Sequence, residues 1–418
     1  MTTEAKDPLA GLDTIDWAAL GHAYGSAADV PGLLRALCAA DEEERLGALG
    51  KLYTNIFHQG SRYEATAHAV PFLARIAADT SLADRDAVLG LLAGLAIGYD
   101  EAHLPGGVDT AGWRSRVAEF VARDPAEVLA EFDRFVAEAP DEGERRAREW
   151  RRQMFDCAYE QRAAAAELAA YDAVRGEVPA VTALLADADP GVRAGAAYVL
   201  GWFPEEAAGT LPALLGLLER ETDPGATATA LVAVGLLGTP GDAALAARLR
   251  PRLAAGEAVV RWAAATALAR LGHPARDAAA VLAELAAAQA EPPSSGATGV
   301  PFHEGDLRGY SAASLTLLAD RHPDETLSAA TDGLAAAASG PAVFPVAAAA
   351  LRLAFGDERP TPLPPFAELT PGQRRLVGVL AELDEHTRSW VNFLEIVDAW
   401  GLPRQREALR AYAGLPPG

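Results

Sequence analysis

Apolar segments alternate with short acidic turns between residues 178 and 272. The segment 211–218 reads Leu-Pro-Ala-Leu-Leu-Gly-Leu-Leu, and an acidic turn and then an Ala-rich segment follow it. Apolar positions at this spacing are typical of helices that bury one face. Each unit of the pattern is therefore predicted to be a pair of helices joined by a short turn.

The turn sequence recurs at an interval of 34 residues. Residues 189–193 read Asp-Pro-Gly-Val-Arg, and residues 223–227 read Asp-Pro-Gly-Ala-Thr. Glu257 and Arg261 stand another 34 residues along the chain. Asp accepts hydrogen bonds from the unpaired N–H groups at a helix start, and Pro fits the first helical position. Each turn therefore predicts the start of the second, Ala-rich helix.

The same frame occurs outside this region. It consists of an acidic or capping residue, an Arg four residues later and an aliphatic residue seven residues after the Arg. Three further matches are Asp41/Arg45/Leu52, Ser81/Arg85/Leu92 and Glu304/Arg308/Leu315. These matches predict helical repeats on both sides of the central region, because hairpins of this kind bury their apolar faces by stacking.

The chain resembles the HEAT-repeat family in its short, PBS-lyase-like form. The Asp-Pro-Gly-Val-Arg run at 189–193, followed by an Ala-rich helix, carries the resemblance, which covers roughly residues 30–100 and 178–320. It implies an all-α fold, an α-solenoid of HEAT-like helical hairpins. In that family the Asp and Arg positions look like a structural ladder between repeats. The resemblance therefore implies a packing role for these residues, with an interruption at Thr227.

Four segments are predicted. Residues 16–110 form N-terminal HEAT-like repeats, and residues 111–177 form a non-repeat helical insertion with helices such as 113–122, 125–138 and 142–172. Residues 178–356 form the core repeats. Residues 366–418 form a C-terminal helical cap, since apolar residues at helical spacing there would cover the open end of a repeat array.

The charge balance restricts the class of partner. The chain has 418 residues and a formal net charge of −22. Such a field repels nucleic acid and anionic membranes and attracts basic proteins. No stretch is long and apolar enough to predict a membrane span. The expected partner is therefore a basic protein or peptide, with no nucleic acid and no membrane.

Cysteine usage and the first residues of the chain bear on cofactors and location. The two cysteines are far apart and lack metal-site spacing, so no metal and no cofactor are predicted. The first residues include no apolar segment typical of a secretion signal, which favours a cytoplasmic protein. The near absence of Lys beside many Arg, Ala and Gly residues indicates a GC-rich bacterial genome of the actinobacterial type.

Three polar passages interrupt the repeats and supply the candidate binding residues. The first two hold His58, Gln59, Arg62 and Tyr63, and then Tyr99, Asp100 and His103; the third holds His303, Glu304, Asp306, Arg308 and Tyr310, and Trp262 adds an aromatic residue at a helix. Loops on a rigid scaffold often carry function, and Tyr, Trp and Arg often anchor interfaces. Two interpretations are open. The passages either form satisfied polar networks between helices or line one side of a shared groove.

The sequence contains no nucleophile elbow, phosphate loop or HExxH motif. We therefore expect no enzyme but a protein- or peptide-binding scaffold or adaptor that uses a concave groove and acidic-aromatic loops. One alternative is a HEAT-like enzyme resembling bilin lyases or DNA glycosylases. Another is an immunity or chaperone partner of a cationic toxin. The oligomeric state stays open.

Overall fold

The computed structural model describes residues 7–272, 277–337 and 339–416. These residues form two compact units. Unit 1 comprises the described residues up to Tyr99 together with Val108–Leu184, and unit 2 comprises Asp100–Gly107 together with the described residues from Leu185 onwards. Residues 1–6, which contribute to the prediction on secretion, lie outside the described residues. Among the described helices, none has the length and apolar character needed to cross a membrane.

Unit 1 contains nine helices and two small antiparallel hairpins within its described residues. In chain order the elements are β1 Gly21–His22, β2 Gly25–Ser26, α1 Val30–Ala36, α2 Glu42–Asn55, β3 Phe57–His58, β4 Ser61–Arg62, α3 Glu64–Ala78, α4 Arg85–Ile97, α5 Thr110–Ala122, α6 Pro125–Ala137, α7 Glu142–Met154, α8 Cys157–Gly176 and α9 Val178–Ala183.

Unit 2 consists of helices and connecting turns. Its helices are α10 Pro190–Leu200, α11 Ala207–Arg220, α12 Pro224–Leu237, α13 Ala243–Leu249, α14 Ala258–Leu271, α15 Ala278–Ala290, α16 Leu307–Leu315, α17 Pro323–Ala336, α18 Phe344–Phe355, α19 Pro371–Glu382, α20 Glu385–Arg388, α21 Val391–Ala399 and α22 Arg406–Tyr412. Helices α10, α12 and α14 pack side by side, and α11 packs on α12 from the neighbouring layer. The prediction of an all-α solenoid is confirmed.

The acidic residue of each turn starts the second helix of its hairpin. The Asp189 carboxylate accepts a hydrogen bond from the N–H of Gly191, and the Asp223 carboxylate accepts one from Ala226. Asp41 accepts one from Glu44 at the start of α2. These bonds satisfy N–H groups that have no partner inside the helix. The start signals predicted at these three turns are therefore confirmed.

Two predicted start residues are wrong. Helix α4 begins after Asp84 rather than Ser81, whose hydroxyl donates to Asp79 instead. Helix α16 begins after Asp306 rather than Glu304, because the Asp306 carboxylate accepts from the N–H of Gly309. In both places the frame locates the Arg and the aliphatic residue of the helix but misplaces its start.

The arginines of the repeat frame tie successive hairpins together. Arg193 donates to the carbonyls of residues 187 and 188 at its own turn and forms a two-point contact with Glu221 of the next hairpin. Arg261 likewise donates to the carbonyls of residues 255 and 256, and it makes a single hydrogen bond to Glu284. Arg45 does so with residues 39 and 40 and with Asp84. The partner is thus an acid of the following hairpin, while the Asp of the turn caps its own helix.

The segment between α4 and α9 is packed unevenly. Within the described residues, α5 and α7 bury no residue and α6 buries only Val128, whereas α8 packs against α3 and α4. The predicted helix over 142–172 is two helices, because the Asp156 carboxylate accepts from the N–H of Tyr159 and starts α8 after a break. The last part of unit 2 is more compact, since α19 packs on α17 and α18, and α21 packs on α18.

We expect Arg193→Met to destabilise unit 2 by about 2–3 kcal/mol, because it leaves the Glu221 carboxylate, whose side chain is 1% exposed, without its countercharge. Burial alone would raise the pKa of Glu221, but the bonds from Arg193 and from two backbone N–H groups hold that pKa below its usual value. The lowered pKa stabilises the fold above the unfolded pKa of Glu221. The difference between wild type and variant should shrink as pH falls through the folded pKa. Urea unfolding across pH measures this.

Arg261→Met is the matched control. Its partner Glu284 has a 25% exposed side chain, so the loss should be about 1 kcal/mol or less. Arg193→Met combined with Glu221→Gln should regain part of the stability, because no buried charge is then left alone. Equal losses at Arg193 and Arg261 would contradict the buried ion-pair argument.

Candidate functional site

The second and third polar passages meet in unit 2 at one carboxylate. Asp100 Oδ2 accepts a hydrogen bond from the backbone N–H of His303, with 2.7 Å between N and O. The same oxygen accepts the hydroxyl of Tyr198 at 3.0 Å. Asp100 is 5% exposed. A buried carboxylate therefore joins segments that are 203 positions apart in the chain.

Aromatic side chains surround this carboxylate, and we call the group the Asp100 cluster; it consists of Asp100, His103, Tyr198, Trp202, Phe302, His303 and Tyr310. The rings of Tyr198 and Phe302 meet edge to face with centroids 4.8 Å apart. The ring centroids of His103 and Trp202 are 6.3 Å apart, and the ring planes of His303 and Tyr310 are nearly parallel. Trp262 borders the cluster through Tyr310, and its Nε1 donates to the buried hydroxyl of Ser311 at 2.7 Å.

Burial shifts the pKa values of residues in and beside this cluster. It raises the pKa of Asp100, while the hydrogen bond from the His303 N–H, the His303 ring and the Tyr198 hydroxyl oppose that rise. Burial also raises the pKa of Tyr310 and lowers that of Arg270. Arg270 Nε donates to the carbonyl of Gly106 at 2.7 Å, which fixes the end of the 100–107 segment.

The backbone beside Asp100 is strained. His303 and Glu304 have φ values of 56° and 52°, in the left-handed region that side chains other than Gly disfavour. This turn directs the His303 N–H at Asp100, and one turn later Asp306 starts α16. The packing around His303, which is 8% exposed, holds the turn in place.

The same two segments cover helix α12. Every residue of α12 from Gly225 to Leu237 is buried. Gly107 lies against Leu236, and the Thr298 hydroxyl donates to Asp223 at 2.9 Å. A Cβ on Gly225 would lie 2.5 Å from the carbonyl oxygen of Gly299, so the chain approaches the helix at a distance that only Gly permits. Here the chain's own loops lie over helix α12 instead of bordering open space.

The remaining residues of the third passage also make internal contacts. Asp306 caps α16, and Arg308 donates to the carbonyls of Gln289 and Ala290 at the end of α15. Glu304 is exposed beside the cluster. The interpretation as a satisfied polar network describes Asp100, His303, Asp306, Arg308 and Tyr310.

The first polar passage lies in unit 1 and forms a tight β-hairpin rather than an irregular loop. Strands β3 and β4 pair Phe57 with Arg62 and His58 with Ser61, and Gln59 and Gly60 form the turn with positive φ. Arg62 is 6% exposed. Its Nη2 lies 3.6 Å from Glu167 Oε2, and its guanidinium group stacks over the Trp113 ring. Burial lowers the pKa of Arg62. The Arg62 side chain therefore packs under the hairpin, where a large partner cannot contact it.

Exposed tyrosines surround this hairpin. Four of the chain's nine tyrosines are exposed by about a third or more of their area, and all four lie in unit 1: Tyr24 at 67%, Tyr159 at 49%, Tyr99 at 43% and Tyr53 at 36%. We call these four together with the half-buried Tyr63 the tyrosine surface. The sequence predicted Tyr63 and Tyr99 as binding residues but not Tyr24, Tyr53 or Tyr159. The signal for Tyr24 was the turn Gly-His-Ala-Tyr-Gly at 21–25, which shares His, Gly and Tyr with the passage after residue 57.

Contacts with the hairpin hold these tyrosines in place. The Tyr24 ring meets His58 edge to face at 5.4 Å, and the Tyr99 ring meets Phe57 at 5.6 Å and covers Gly60. The Tyr53 ring also meets the Phe57 ring edge to face, with 6.0 Å between the ring centroids. The phenol of Tyr63 lies close to Tyr24 and Tyr159. Burial raises its pKa, and those two tyrosines and Glu167 add to the rise.

Carboxylates accompany the tyrosine surface. Glu160 follows Tyr159 directly and is exposed, and Glu64 follows Tyr63 and is exposed. Asp29, whose side chain is 48% exposed, bonds the ring of His22 at 2.9 Å and the amide of Asn55 at 2.7 Å. Aromatic faces beside carboxylates attract cations by two mechanisms at once.

Part of the chain matches a known family of helical repeats. A family model described as HEAT repeats matches residues 150–235. This segment of the chain is similar to HEAT repeats. The matched part of the chain runs from the end of α7 to α12, so it includes α8 as well as the turns at Asp189 and Asp223.

The chain is similar to the crystal structure of an engineered protein, with 20% identity, 92% of this chain and 97% of that chain covered, and a TM-score of 0.28. No curated protein matches the sequence.

Among the described residues there is no group of three or more His, Cys, Asp or Glu side chains placed to hold a metal ion.

We expect Asp100→Ala to destabilise unit 2 by about 2–4 kcal/mol, because the Tyr198 hydroxyl and the His303 N–H lose a buried acceptor. Asp100→Asn keeps an acceptor without the charge and should cost about 1 kcal/mol or less. The raised pKa of Asp100 means that ionisation opposes folding. Wild-type stability relative to Asp100→Asn should therefore fall as pH rises from the unfolded pKa of Asp100 to its folded pKa, and then stay constant.

Chemical unfolding between pH 3 and pH 8, followed by tryptophan fluorescence, measures this difference, the range spanning the usual and raised carboxyl pKa values. Glu368→Gln is the control, since Glu368 is an exposed acid of unit 2 that is not among the charges that shift the pKa of Asp100, and the substitution should leave the profile nearly unchanged. A wild type that gains stability over Asp100→Asn with rising pH would contradict the argument.

Proposed function

We propose that this protein is a HEAT-repeat scaffold without catalytic function, and that it holds a basic segment of another protein on the tyrosine surface of unit 1. HEAT repeats generally serve as scaffolds for protein interactions, which supports the general class. The observation that carries the specific proposal is the group of exposed tyrosines fixed around a rigid hairpin beside carboxylates.

The chemistry of this surface suits Arg and Lys side chains. A guanidinium or ammonium group over a Tyr face gains about 0.5–1 kcal/mol at an exposed site, and more when water is excluded. Exposed Glu64 and Glu160 supply the charge-assisted hydrogen bonds. The net charge of −22 also speeds the encounter with a cationic partner.

Rigidity adds to this argument. Tyr24, Tyr99 and Tyr53 each pack against a ring of the β3–β4 hairpin, so they lose little side-chain freedom when a partner binds. The buried Arg62 carries its own countercharge, Glu167, and so does not cancel the attraction of the surface for cations. Of the residues predicted from sequence, we keep His58, Gln59, Tyr63 and Tyr99 in the binding site. We assign internal roles to the others except Glu304, which is exposed in unit 2.

The alternative enzymatic function depended on an Asp near aromatic side chains. Asp100 has such neighbours, but its Oδ2 accepts two internal hydrogen bonds and the residue is nearly fully buried. These bonds favour a structural role for Asp100, and we assign it no catalytic one. An immunity or chaperone partner of a cationic toxin would use the same tyrosine surface, and the neighbouring gene would distinguish that role from a general adaptor.

A random peptide display library tests the proposal directly. Peptides enriched on the wild type should be rich in Arg and Lys. Tyr24→Ala combined with Tyr159→Ala should weaken their binding at least about tenfold in fluorescence anisotropy, because exposed Tyr residues are frequent hot spots. Binding should also weaken with added salt, since part of the attraction is electrostatic.

Trp390→Ala is the matched control, because Trp390 is an aromatic residue with 40% exposure in unit 2. It should leave binding unchanged. The proposal fails if the enriched peptides are not basic, or if they bind the tyrosine double variant and the wild type equally while both give the same circular dichroism spectrum.

A further inference from the structure

Helix α7 has an inward face that is fully occupied. Arg148 bonds Glu144 at 2.8 Å, and its guanidinium lies 3.8 Å from the centre of the Phe135 ring of α6. One turn on, Arg152 Nε donates to Asp133 of α6 at 2.7 Å. Residues 144, 148 and 152 therefore form the stripe by which α7 packs on α6.

The opposite face of α7 is apolar and exposed. Trp150 is 63% exposed and Met154 is 68% exposed, although both are large hydrophobic side chains. Ala147 and Gly143 continue the same stripe and are exposed as well. The positions 143, 147, 150 and 154 follow spacings of four, three and four, which is the seam by which one helix packs lengthwise on another.

Arginines flank this seam. With 147 and 150 as the two seam positions of a heptad, Arg146 and Arg151 occupy the flanking positions that determine partner choice in helix pairs. Both are exposed. Arg146 Nε donates a hydrogen bond to Glu142 Oε1 at 3.1 Å. Helix α7 contains five Arg and three Glu residues, so it is locally positive on a chain with a net charge of −22.

We propose that the outward face of α7 is a second docking surface, and that its occupant is an acidic amphipathic helix of another protein. The apolar seam selects a helix, because its spacing matches the apolar stripe of a helical partner. The flanking Arg146 and Arg151 select Asp or Glu beside that stripe. The negative field of the rest of the chain reaches little further than about 8 Å at physiological salt, so local charge decides at contact.

This surface is separate from the tyrosine surface in residues and opposite to it in charge preference. It does not depend on the proposed binding of a basic segment. A scaffold with both would hold one basic and one acidic segment on the same unit, and each interaction can fail without the other.

A designed pair of helical peptides tests the proposal. Each has about three heptads with Leu at the seam positions, and the flanking positions carry Glu in one peptide and Lys in the other. The wild type should bind the Glu peptide at least about tenfold more tightly than the Lys peptide at physiological salt. Trp150→Gln combined with Met154→Gln should weaken binding of the Glu peptide by about tenfold or more.

Charge reversal gives the sharper result. Arg146→Glu combined with Arg151→Glu should invert the preference, so that the Lys peptide binds more tightly. Trp390→Gln is the control for an exposed aromatic residue elsewhere and should change neither affinity. Since all four substituted α7 residues are exposed, circular dichroism should show an unchanged fold.

Three results would overturn the proposal. The first is equal binding of the Glu and Lys peptides by the wild type. The second is an unchanged preference in the charge-reversed variant. The third is a concentration-dependent increase in mass of the wild type in light scattering that Trp150→Gln combined with Met154→Gln abolishes, because a second copy of the chain would then cover this face.

Discussion

A helical hairpin exposes an apolar face until another hairpin covers it, and this constraint governs the structure. Successive hairpins have to be held in register for that face to be buried, and the repeat-frame arginines do so at Arg45, Arg193 and Arg261. Each guanidinium satisfies carbonyls at its own turn and a carboxylate of the next hairpin. The charge is thus neutralised and hydrogen-bonded, which makes its partial burial tolerable.

Stacking leaves one layer of helices uncovered, and unit 2 solves this with its own loops. The 100–107 segment and the segment before α16 lie on α12, which together with α10, α11 and α14 leaves its residues from Gly225 to Leu237 buried. The Asp100 carboxylate joins these two segments by accepting from His303 and Tyr198. The strained turn at His303 and Glu304 is the cost of directing that N–H at the carboxylate.

The sequence predicted the parts of the fold that follow from local rules. Asp189 and Asp223 start their helices as expected, because capping depends on the residue and its immediate neighbours. The contact of Arg193 with Glu221 required knowing which hairpin comes next in space. The break before α8 was missed because the Ala- and Arg-rich stretch around it favours helix on both sides, and only the Asp156 cap divides it.

The candidate site was harder to predict, because residue type does not reveal burial. His58 and Arg62 belong to one hairpin, yet Arg62 is buried, whereas Tyr24, 34 positions before His58, packs on it at the surface. Successive side chains of β3 and β4 point to opposite faces of the hairpin, so His58 and Arg62 lie in different environments.

The same lack of information affected α7. An Arg-rich helix paired with acids reads as a solvated face, and that description fits its inward side, where Arg148 and Arg152 bond α6. The outward seam of Trp150 and Met154 becomes visible only when the partners of the arginines are known. Large apolar side chains exposed together on one face of a helix are typical of a docking surface, and this is why we propose an acidic helical partner beside the flanking arginines.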